Sequence, residues 1–446
     1  MSGEFEGERI VVIGLGVAGR AAARVLVEER ASVRVTEERP HAEGADEIRG
    51  LGIEVLDGGH DPRHLEGATA VVASPGVPEL APVLRWAKNR GIAVWSELDV
   101  GARLCRVPYV VVTGTNGKST TTKMIATMME AAGLDAVACG NIGHAFSLAA
   151  REGHDALAVE ASSFQLRFHH WVHPKVSVLL NLAPDHLDWH GSFDGYAASK
   201  ARVYELQGDA DAHVGNADDE AAARISRRAP CRIAWFRLGE PDHGDVGYVD
   251  GEVVARSGAD ASLGRPVLDS KGFRADAAAA AAAALAFGLE PAAIAEGMRR
   301  MRPLPHRGEE VARAGSVAFL DDSKATNVHA TLHALAGRRD VVLIAGGLAK
   351  GADLSPLGEA IPSLAAAVAM GEAASEIVAL FEGRVPVRKA GSMEEAVRTA
   401  YELAPAEGTV LLAPACASWD MFRDYVERGE RFAAAARALG KSVTYS

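Results

Sequence analysis

The chain has 446 residues, 48% of them hydrophobic and 24% charged, with a formal net charge of −12 at pH 7. This length exceeds what one hydrophobic core usually serves, and the composition excludes a disordered chain. The negative charge argues against broad nucleic-acid binding. No apolar run is long enough to span a bilayer, and the first residues lack a secretory signal, so we expect a cytoplasmic protein without nucleic-acid or membrane partners.

Short apolar runs alternate with helical patterns along most of the chain, which is typical of an α/β protein with mostly parallel sheets and crossover helices. Pro and charged residues interrupt this alternation at two places, which predicts three domains: 1–97, 98–303 and 304–446. The predicted strands are ERIVVIG, SVRVTE, TAVVASP, YVVVTG, ALAVEAS, KVSVLLN, DVVLIAGG and GTVLLAP, with a hairpin at YVDGEVV and a helix over the alanine run that ends near Gly288.

A first glycine turn follows the first predicted strand and precedes a helical pattern. It reads Gly14-Leu15-Gly16-Val17-Ala18-Gly19, and Glu37 ends the next strand about twenty residues on. The glycines allow close backbone approach, and a helix N-terminus attracts a pyrophosphate of any owner. The pattern alone therefore leaves two ligands open, a nicotinamide dinucleotide and a UDP group.

A second glycine turn, Gly114-Thr115-Asn116-Gly117-Lys118-Ser119, lies between another strand and another helix. It has two residues fewer between its glycines than the standard phosphate loop. Its backbone N–H groups can still cradle phosphate oxygens, Lys118 can contact the β and γ phosphates, and the Ser119 hydroxyl can bind Mg²⁺. This turn predicts ATP binding.

Polar residues end two later strands. Glu160 ends ALAVE, and KVSVLLN runs into Asn181 and the segment PDHLD, which contains His186. Ligands of open parallel sheets gather at the carboxyl ends of the strands, and Mg²⁺ prefers hard oxygen ligands. We therefore expect a metal site near the second turn. Lys200 lies on a predicted helix, where local pattern alone suggests exposure to solvent.

The sequence resembles the Mur ligase family over almost the whole chain. GTNGKSTTT is shared across the superfamily, whereas GNIG, EASSFQL and PDHLDWH narrow the resemblance. DDSKATN, AGGLAKGADLSPL and PACASWDMFRDYVERGERF resemble the D-glutamate-adding branch.

The resemblance implies a Rossmann-like N-terminal domain that holds a UDP-sugar, a central ATPase and a Rossmann-like C-terminal domain that receives D-glutamate. It implies an ATP-dependent amide ligase that joins D-glutamate to UDP-MurNAc-L-Ala through an acyl phosphate, in peptidoglycan synthesis, and we expect a monomer. It further implies two Mg²⁺ ions and a carbamylated Lys200 that bridges them with His186 and Glu160. Lys118, Lys200 and His186 would then be the catalytic residues.

Further roles come from the same resemblance. The ATP contacts would be Gly114, Thr115, Asn116, Gly117, Lys118, Ser119, Thr120, Arg307 and Asp322, and the metal ligands Ser119, Glu160, His186 and Lys200. The substrate contacts would be Gly14, Leu15, Gly16, Val17, Glu37, Ser74, Asn141, Ser162, Lys324, Thr326, Lys350, Ser418 and Tyr425.

The sequence departs from the family beside the adenine, where an H-N-x-x-N segment is here Arg274-Ala275-Asp276-Ala277-Ala278. The usual asparagine contact with the base is therefore absent. Three alternative functions remain: another ligase of the superfamily, such as a folylpolyglutamate synthase, an NAD-dependent dehydrogenase, and a nucleotide-binding module without catalytic activity. The N-terminal glycine turn argues against the first, and the second leaves the phosphate loop without a purpose.

Overall fold

The computed structural model describes residues 3–257, 259–267, 270–302 and 304–444. The chain divides into two compact units, Met1–Val267 with Arg274–Met301 and Leu268–Phe273 with Arg302–Ser446. The predicted domain boundary at residue 303 lies outside the described residues. The described strands form three sheets in which most neighbours are parallel, so the α/β prediction is confirmed.

The first sheet has the order β3-β2-β1-β4-β5, and all of its pairs are parallel. Its strands are apolar in the middle because helices pack against them, as Val12 and Val35 show by their complete burial. The elements are β1 Arg9–Ile13, α1 Val17–Glu28, β2 Ser32–Glu37, α2 Ala45–Gly50, β3 Glu54–Asp57, β4 Ala70–Ala73, α3 Pro82–Asn89, β5 Ala93–Trp95 and α4 Glu97–Leu104, with a 3-10 helix at Pro62–Leu65.

The second sheet has the order β14-β13-β12-β11-β10-β9-β6-β8-β7. Its strands are β6 Tyr109–Thr113, β7 Ala136–Gly140, β8 Ala156–Glu160, β9 Val176–Leu179, β10 Ala212–Asn216, β11 Arg232–Leu238, β12 Val246–Val249, β13 Glu252–Ser257 and β14 Ala259–Gly264. The last three strands pair antiparallel. Asp250 and Gly251 join β12 to β13 with φ of 49° and 87°, which confirms the predicted hairpin and its turn.

The helices of this sheet are α5 Lys118–Ala131, α6 Phe146–Ala149, α7 Ser163–Phe168, α8 Leu187–His190, α9 Phe193–Ala201, α10 Glu220–Ser226, α11 Lys271–Phe287 and α12 Pro291–Arg300, with a 3-10 helix at Arg202–Tyr204. The alanine run lies in α11 as predicted, and Gly288 follows it with φ of 104°. A Cβ at Gly297 would lie 2.5 Å from the Met128 Cα, so α12 packs backbone to backbone on α5. This close contact fixes the helix that begins at the second glycine turn.

The second unit contains a sheet of order β15-β16-β20-β17-β18-β19, parallel except between its first two strands. Its core includes Phe319, Ile344 and Leu412, all fully buried. The elements are β15 Glu309–Ala314, β16 Val317–Asp321, α13 Val328–Leu335, β17 Val341–Gly346, β18 Leu364–Met370, α14 Ala374–Phe381, β19 Val387–Lys389, α15 Met393–Leu403, β20 Thr409–Leu412 and α16 Tyr425–Thr444, with a 3-10 helix at Ser355–Ser363. Within the described parts of both units, no helix has the length and apolar character needed to cross a membrane.

Candidate functional site

The first glycine turn is held by backbone geometry that only glycine allows. Gly14 has φ of 90°, and its N–H donates to the Thr36 carbonyl at 2.9 Å. A Cβ at Gly19 would lie 2.1 Å from the Gly14 carbonyl oxygen, so α1 can start against the turn only with glycine there. The Ser74 hydroxyl closes the turn by donating to the same carbonyl at 2.9 Å.

Glu37 serves this turn as a brace. Its carboxylate accepts the Leu15 N–H at 2.7 Å and the Arg39 N–H at 3.0 Å. Burial raises the pKa of this carboxyl group, but the bonds from the Arg39 and Leu15 backbones and the Arg39 guanidinium lower it more, so the net shift is downward. The sequence pattern placed Glu37 correctly at the strand end, but it gave no sign that protein groups already use both carboxylate oxygens.

A cavity of about 880 Å³ opens above the turn, and most of its lining is apolar. It contains the predicted substrate residues Gly14, Leu15, Gly16, Val17, Glu37, Ser74 and Asn141. The lining also includes residues that the sequence did not predict, and the polar ones among them include Arg39, His60 and Gln165. Ser162 contacts this group through Gln165, since its hydroxyl donates to the Gln165 Oε1 at 2.8 Å.

The second glycine turn is tied to the end of β9. The Asn181 side chain accepts the Asn116 N–H at 2.8 Å and donates to the Asn116 carbonyl at 3.1 Å. The Thr115 N–H donates to the Asn181 carbonyl, and its hydroxyl lies 3.0 Å from the Tyr196 hydroxyl. The sequence places Asn181 at the strand end but assigns it no role, and it assigns no role to Tyr196. One signal was available for Tyr196, which precedes Lys200 by one helical turn.

Lys118 begins α5, and its ammonium donates to the Gly114 and Thr115 carbonyls at 3.0 and 2.8 Å. Ser119 and Thr120 follow in the first turn of the helix and are buried. The first-turn N–H groups of a helix form an anion site, because the helix dipole and the unpaired donors both favour negative charge. The turn therefore has the donors that a phosphate cradle requires.

Asp276 adds a contact that the sequence did not predict. Gly117 has φ of 84°, and a Cβ built on it would lie 2.1 Å from the Asp276 Oδ1. Asp276 belongs to the segment that departs from the family, on α11. In this chain the segment therefore brings a carboxylate against the phosphate loop.

Glu160 lies at the end of β8, directly beside β6 in the sheet. Its Oε1 accepts the Asn141 side-chain N–H at 2.8 Å, and within the described residues its buried Oε2 has no hydrogen-bond partner. Since Asn141 also lines the cavity, one hydrogen bond connects the cavity to the edge of the central sheet. An unpartnered buried carboxylate oxygen is costly unless a cation or donor joins it.

Lys200 is buried, with only 2% of its surface exposed, so the expectation of solvent exposure is wrong. Its ammonium nitrogen donates to the Gly114 carbonyl at 2.7 Å and lies 4.8 Å from the Tyr196 ring centroid. Burial, reinforced by the nearby Lys118 charge, holds the pKa of Lys200 well below its ordinary value. Periodicity on α9 could not reveal this, because the burial comes from β6 and its turn.

His186 precedes α8 in a left-handed conformation, with φ of 52°. Its ring packs edge-on against Phe164, with centroids 4.8 Å apart, and its Nε2 lies 3.7 Å from the Asp185 Oδ1. Asp188 follows in the same segment, but its side chain lies outside the described residues. Among the side chains that are described, no three His, Cys, Asp or Glu residues form a group that could hold a metal by themselves.

The second unit brings a separate set of predicted residues together. Asp322 follows β16, and burial raises the pKa of its carboxyl to about 7 although the Arg307 guanidinium opposes that shift. The Asp322 N–H donates to the Leu412 carbonyl, and the Thr326 N–H donates to the Lys324 carbonyl. The Lys324 ammonium lies 3.9 Å from the Tyr425 ring centroid.

Lys350 and Ser418 lie on neighbouring loops of the same unit, after β17 and β20. The Leu348 N–H donates to the Ala417 carbonyl at 2.9 Å, and the Ala417 N–H returns a bond at 3.1 Å. Ser418 is buried, and its carbonyl accepts the Phe422 N–H at 2.8 Å.

Three family models match successive parts of the chain. They are the Mur ligase MurD-like N-terminal domain over residues 8–96, the Mur ligase middle domain over residues 112–249, and the Mur ligase glutamate ligase domain over residues 306–416. The first match contains the turn at Gly14–Gly19, and the second contains the turn at Gly114–Ser119 together with Glu160, His186 and Lys200.

Two curated relatives match over nearly their full lengths. The UDP-N-acetylmuramoylalanine–D-glutamate ligase of Frankia casuarinae is 43% identical, with 97% of this chain and 95% of the relative covered. The enzyme of the same name from Streptomyces coelicolor is 40% identical, with 99% and 100% covered.

Among solved structures, the MurF ligase of Thermotoga maritima in complex with ADP aligns with a TM-score of 0.61 at 15% identity, covering 99% of this chain and 97% of that one. The MurC ligase of the same organism aligns with a TM-score of 0.60 at 16% identity, covering 96% and 98%. These two likenesses concern the fold. Together with the matched domains and the full-length relatives, they show that the chain belongs to the Mur ligase family.

Proposed function

We propose that this chain is an ATP-dependent ligase that joins D-glutamate to the L-alanine carboxylate of UDP-MurNAc-L-Ala, a cytoplasmic step of peptidoglycan synthesis. The observation that carries the proposal is the edge of the central sheet. There the phosphate turn meets a buried lysine and a buried carboxylate oxygen that has no hydrogen-bond partner among the described residues. Full-length similarity to ligases of that name supports the choice of substrates.

The reaction needs activation because a carboxylate at neutral pH does not accept an amine. The L-alanine carboxylate oxygen attacks the γ-phosphorus of ATP, the bond to the β–γ bridging oxygen breaks, and ADP leaves. The D-glutamate amine then attacks the acyl phosphate carbon, and the tetrahedral intermediate releases a proton from nitrogen and expels inorganic phosphate. In phosphoryl transfer the protein mainly positions the groups and neutralises charge.

The phosphate turn can both position the phosphates and neutralise their charge. The first-turn N–H groups of α5, beginning at Lys118, would hold the β and γ phosphates. The Lys118 ammonium, which now donates to two neutral carbonyls, would move to phosphate oxygens and exchange these bonds for stronger charge-assisted ones. The bonds from Asn181 and Tyr196 keep the turn in place during this exchange.

The residues at this edge fit magnesium. The buried Glu160 Oε2 lacks a donor within the described chain, and Ser119 offers a buried hydroxyl near the start of α5. Mg²⁺ in such sites is bound through one or two carboxylates together with substrate phosphates and water, so a complete protein cage is not required. Bound there, it would neutralise charge on the transferring phosphoryl group. We propose His186 and a modified Lys200 as further ligands of two ions.

Lys200 suits carbamylation. Burial and the neighbouring Lys118 favour its neutral amine, and only a neutral amine adds carbon dioxide to give a carbamate and a proton. The modification would turn this amine into an oxygen-bearing anion of the kind that magnesium prefers.

The cavity beside the first turn would hold the UDP-sugar. A volume of about 880 Å³ with a mainly apolar lining suits a nucleotide-sized ligand, and the N-terminus of α1 offers donors for its diphosphate. The hydrogen bond between Asn141 and Glu160 connects this cavity to the edge where ATP would react.

The remaining assignments complete the proposal. Arg307 and Asp322 would contact ATP, whereas Lys324, Thr326, Lys350, Ser418 and Tyr425 would receive D-glutamate. The three domains 1–97, 98–303 and 304–446 remain our division of the chain, supported by family matches that begin and end within each of them. We also propose that the protein acts as a monomer.

Phosphate release from ATP tests the function. The assay contains UDP-MurNAc-L-Ala and compares D-glutamate, L-glutamate, L-lysine and a folate-type acceptor. We expect release that depends on both UDP-MurNAc-L-Ala and D-glutamate. Equal or faster release with another acceptor would contradict the assigned substrate, and the folate acceptor in particular would favour the other ligase of the superfamily.

A further inference from the structure

Trp419 is an exposed aromatic residue that none of the assignments above uses. Trp419 is 63% exposed, an unusual setting for an indole that directly follows a run of buried residues. The Lys350 ammonium lies 3.7 Å from the centre of its ring. This distance places the cation in contact with the negative face of the indole, the strongest aromatic partner for a cation.

The backbone around Trp419 is anchored on both sides. Ala417 exchanges two hydrogen bonds with Leu348, and the Asp420 Oδ2 accepts the Glu372 N–H at 2.9 Å. The buried Ser418 between them binds the next turn through its carbonyl. The indole therefore projects from a rigid segment, and its orientation is set by these bonds and by its contact with Lys350.

Lys350 is itself held in an unusual conformation. Its φ is 53°, a left-handed value that is uncommon for residues other than glycine. It follows Gly347, where a Cβ would lie 2.2 Å from the Ala417 carbonyl oxygen, so the two loops approach more closely than any side chain would allow. This approach brings the lysine onto the ring.

The same arrangement occurs a second time in this unit. Lys324 lies over the ring of Tyr425, 3.9 Å from its centre. Two lysines that we assign to D-glutamate thus each rest on an aromatic face, and the acceptor has two carboxylates. An ammonium on a ring face keeps N–H groups directed away from the ring, so it can hold the contact and a carboxylate at once.

We propose that Trp419 is a positioning residue for the acceptor amino acid, which holds the Lys350 ammonium in place for one carboxylate of D-glutamate. Trp419 acts through Lys350 and takes no part in phosphoryl transfer. The inference rests on the proposed function, because it presupposes that Lys350 binds the acceptor.

Steady-state kinetics of Trp419→Leu test the inference. A cation–π contact at an exposed site contributes roughly a two- to fivefold change in affinity, so we expect the KM for D-glutamate to rise by about that factor. The KM values for ATP and for UDP-MurNAc-L-Ala and the kcat should change by less than about 1.5-fold, below the lower end of that range. Trp419→Phe should lie between wild type and Trp419→Leu, because phenylalanine keeps a weaker ring face.

Trp171→Leu is the matched control. Trp171 is also partly exposed, at 38%, and also has a cation near its ring, Arg103 at 5.3 Å. It lies in the first unit, outside the residues assigned to the acceptor, so its loss should leave the KM for D-glutamate unchanged. An equal rise in both variants would overturn the inference, since the effect would then be a general one of removing an indole.

A double-mutant cycle shows whether Trp419 acts through Lys350. In the Lys350→Met background, replacing Trp419 by leucine should have no further effect on the KM for D-glutamate. An unchanged or lowered KM in the single variant, or a full additional effect in the double variant, would overturn the inference.

Intrinsic fluorescence provides a readout that does not depend on turnover and that still applies if the leucine variant does not fold. D-glutamate added to the wild-type protein should change the emission of Trp419, and Trp419→Phe should lose that change. The same response in both proteins would overturn the inference. If the wild type shows no turnover that depends on D-glutamate, the proposed function fails. If the wild type turns over normally and Trp419→Leu has the same KM for D-glutamate, only the inference is overturned.

Discussion

The two glycine turns of the first unit look alike in sequence and differ in what surrounds them. Both lie between a parallel strand and a helix, and both end in helix N-termini that favour anions. The turn at Gly14–Gly19 opens onto a large cavity, and the one described carboxylate that braces it belongs to the next strand of its own sheet, at Glu37. The turn at Gly114–Ser119 is enclosed by side chains from the loop after β9 and from α9.

This difference suits the first turn to ligand binding and the second turn to phosphoryl transfer. An open turn with an apolar cavity can hold a large ligand by its diphosphate, but it brings no buried charge to a reacting atom. The enclosed turn places two lysines and a carboxylate around one phosphate cradle, where low dielectric strengthens their effect. A glycine pattern therefore predicts an anion-binding turn, whereas side chains from neighbouring elements determine whether the bound anion can react there.

Lys118→Ala tests the chemical role of the second turn and should have the largest effect. Removing one electrostatic partner of a developing charge typically costs about 2.7 to 4 kcal/mol, so we expect kcat to fall by about 100- to 1000-fold. Lys123→Ala on the same helix is the control and should keep its activity. Thermal unfolding should show both variants folded. Turnover of Lys118→Ala close to wild type would remove the lysine from the mechanism.

Alanine substitutions at Gly117 and at Gly16 should differ in their effect on stability, because only Gly117 combines a positive φ with a close contact. Gly117→Ala combines a φ of 84° with a Cβ 2.1 Å from the Asp276 carboxylate, and we expect it to lower the free energy of unfolding by about 1 to 3 kcal/mol. Gly16 has φ of −62° and open space at its Cβ position, so Gly16→Ala should change stability by less than about 0.5 kcal/mol.

Urea unfolding measures both variants. Asp276→Ala in the Gly117→Ala background should recover the part of the loss that comes from the contact and leave the part that comes from φ. Equal stability of the two single variants would contradict the strain and the close contact described for Gly117.

Glu37→Gln tests whether the first turn serves binding alone. The change keeps the size of the side chain and removes the charge that strengthens its bonds to Leu15 and Arg39. We expect the KM for UDP-MurNAc-L-Ala to rise by about tenfold, with kcat changed by less than about twofold. Glu66→Gln, exposed in the same domain, is the control. A fall in kcat with an unchanged KM would mean that the first turn takes part in the reaction itself and not only in substrate binding.

The pH dependence of stability should show a smaller effect at the same residue. The folded-state pKa of Glu37 is below its ordinary value of 4.5, so its stabilising contribution is complete above pH 4.5 and is lost as pH falls through the lower, folded-state pKa. Between neutral pH and acid below 4.5, wild type should therefore lose more stability than Glu37→Gln. Parallel curves from denaturant titrations at each pH would contradict the role of Glu37 as an ionised brace.

The sequence predicted the fold and both turns because their signals are local. Apolar runs, glycines and helix starts depend on residues close together in the chain, and strands such as β6 and β8 formed where the runs indicated. The positions of Glu160 and Asn181 were also predictable, because the carboxyl ends of neighbouring parallel strands lie at the same edge of a sheet. Both residues are found at the edge where β6 ends.

Other features depended on contacts between distant residues and could not be read from local pattern. The burial of Lys200 arises from the turn after β6, and the closeness of Asp276 to Gly117 arises from the packing of α11 on that turn. The hydrogen bonds that the Glu37 carboxylate accepts from the Leu15 and Arg39 N–H groups, within a residue that also lines the cavity, could not be read from the pattern either. The resemblance to Mur ligases pointed to Lys200, and the structure shows that this residue is buried against the turn after β6.

Transfer of ¹⁸O tests the central claim most directly. UDP-MurNAc-L-Ala labelled in both oxygens of the L-alanine carboxylate is converted in the presence of ATP and D-glutamate, and the released phosphate is analysed by mass spectrometry. If the carboxylate attacks the γ-phosphorus at the second turn, each turnover leaves one labelled oxygen in inorganic phosphate and the other in the new amide. Unlabelled phosphate accompanying amide formation would contradict an acyl phosphate and with it the chemistry assigned to this site.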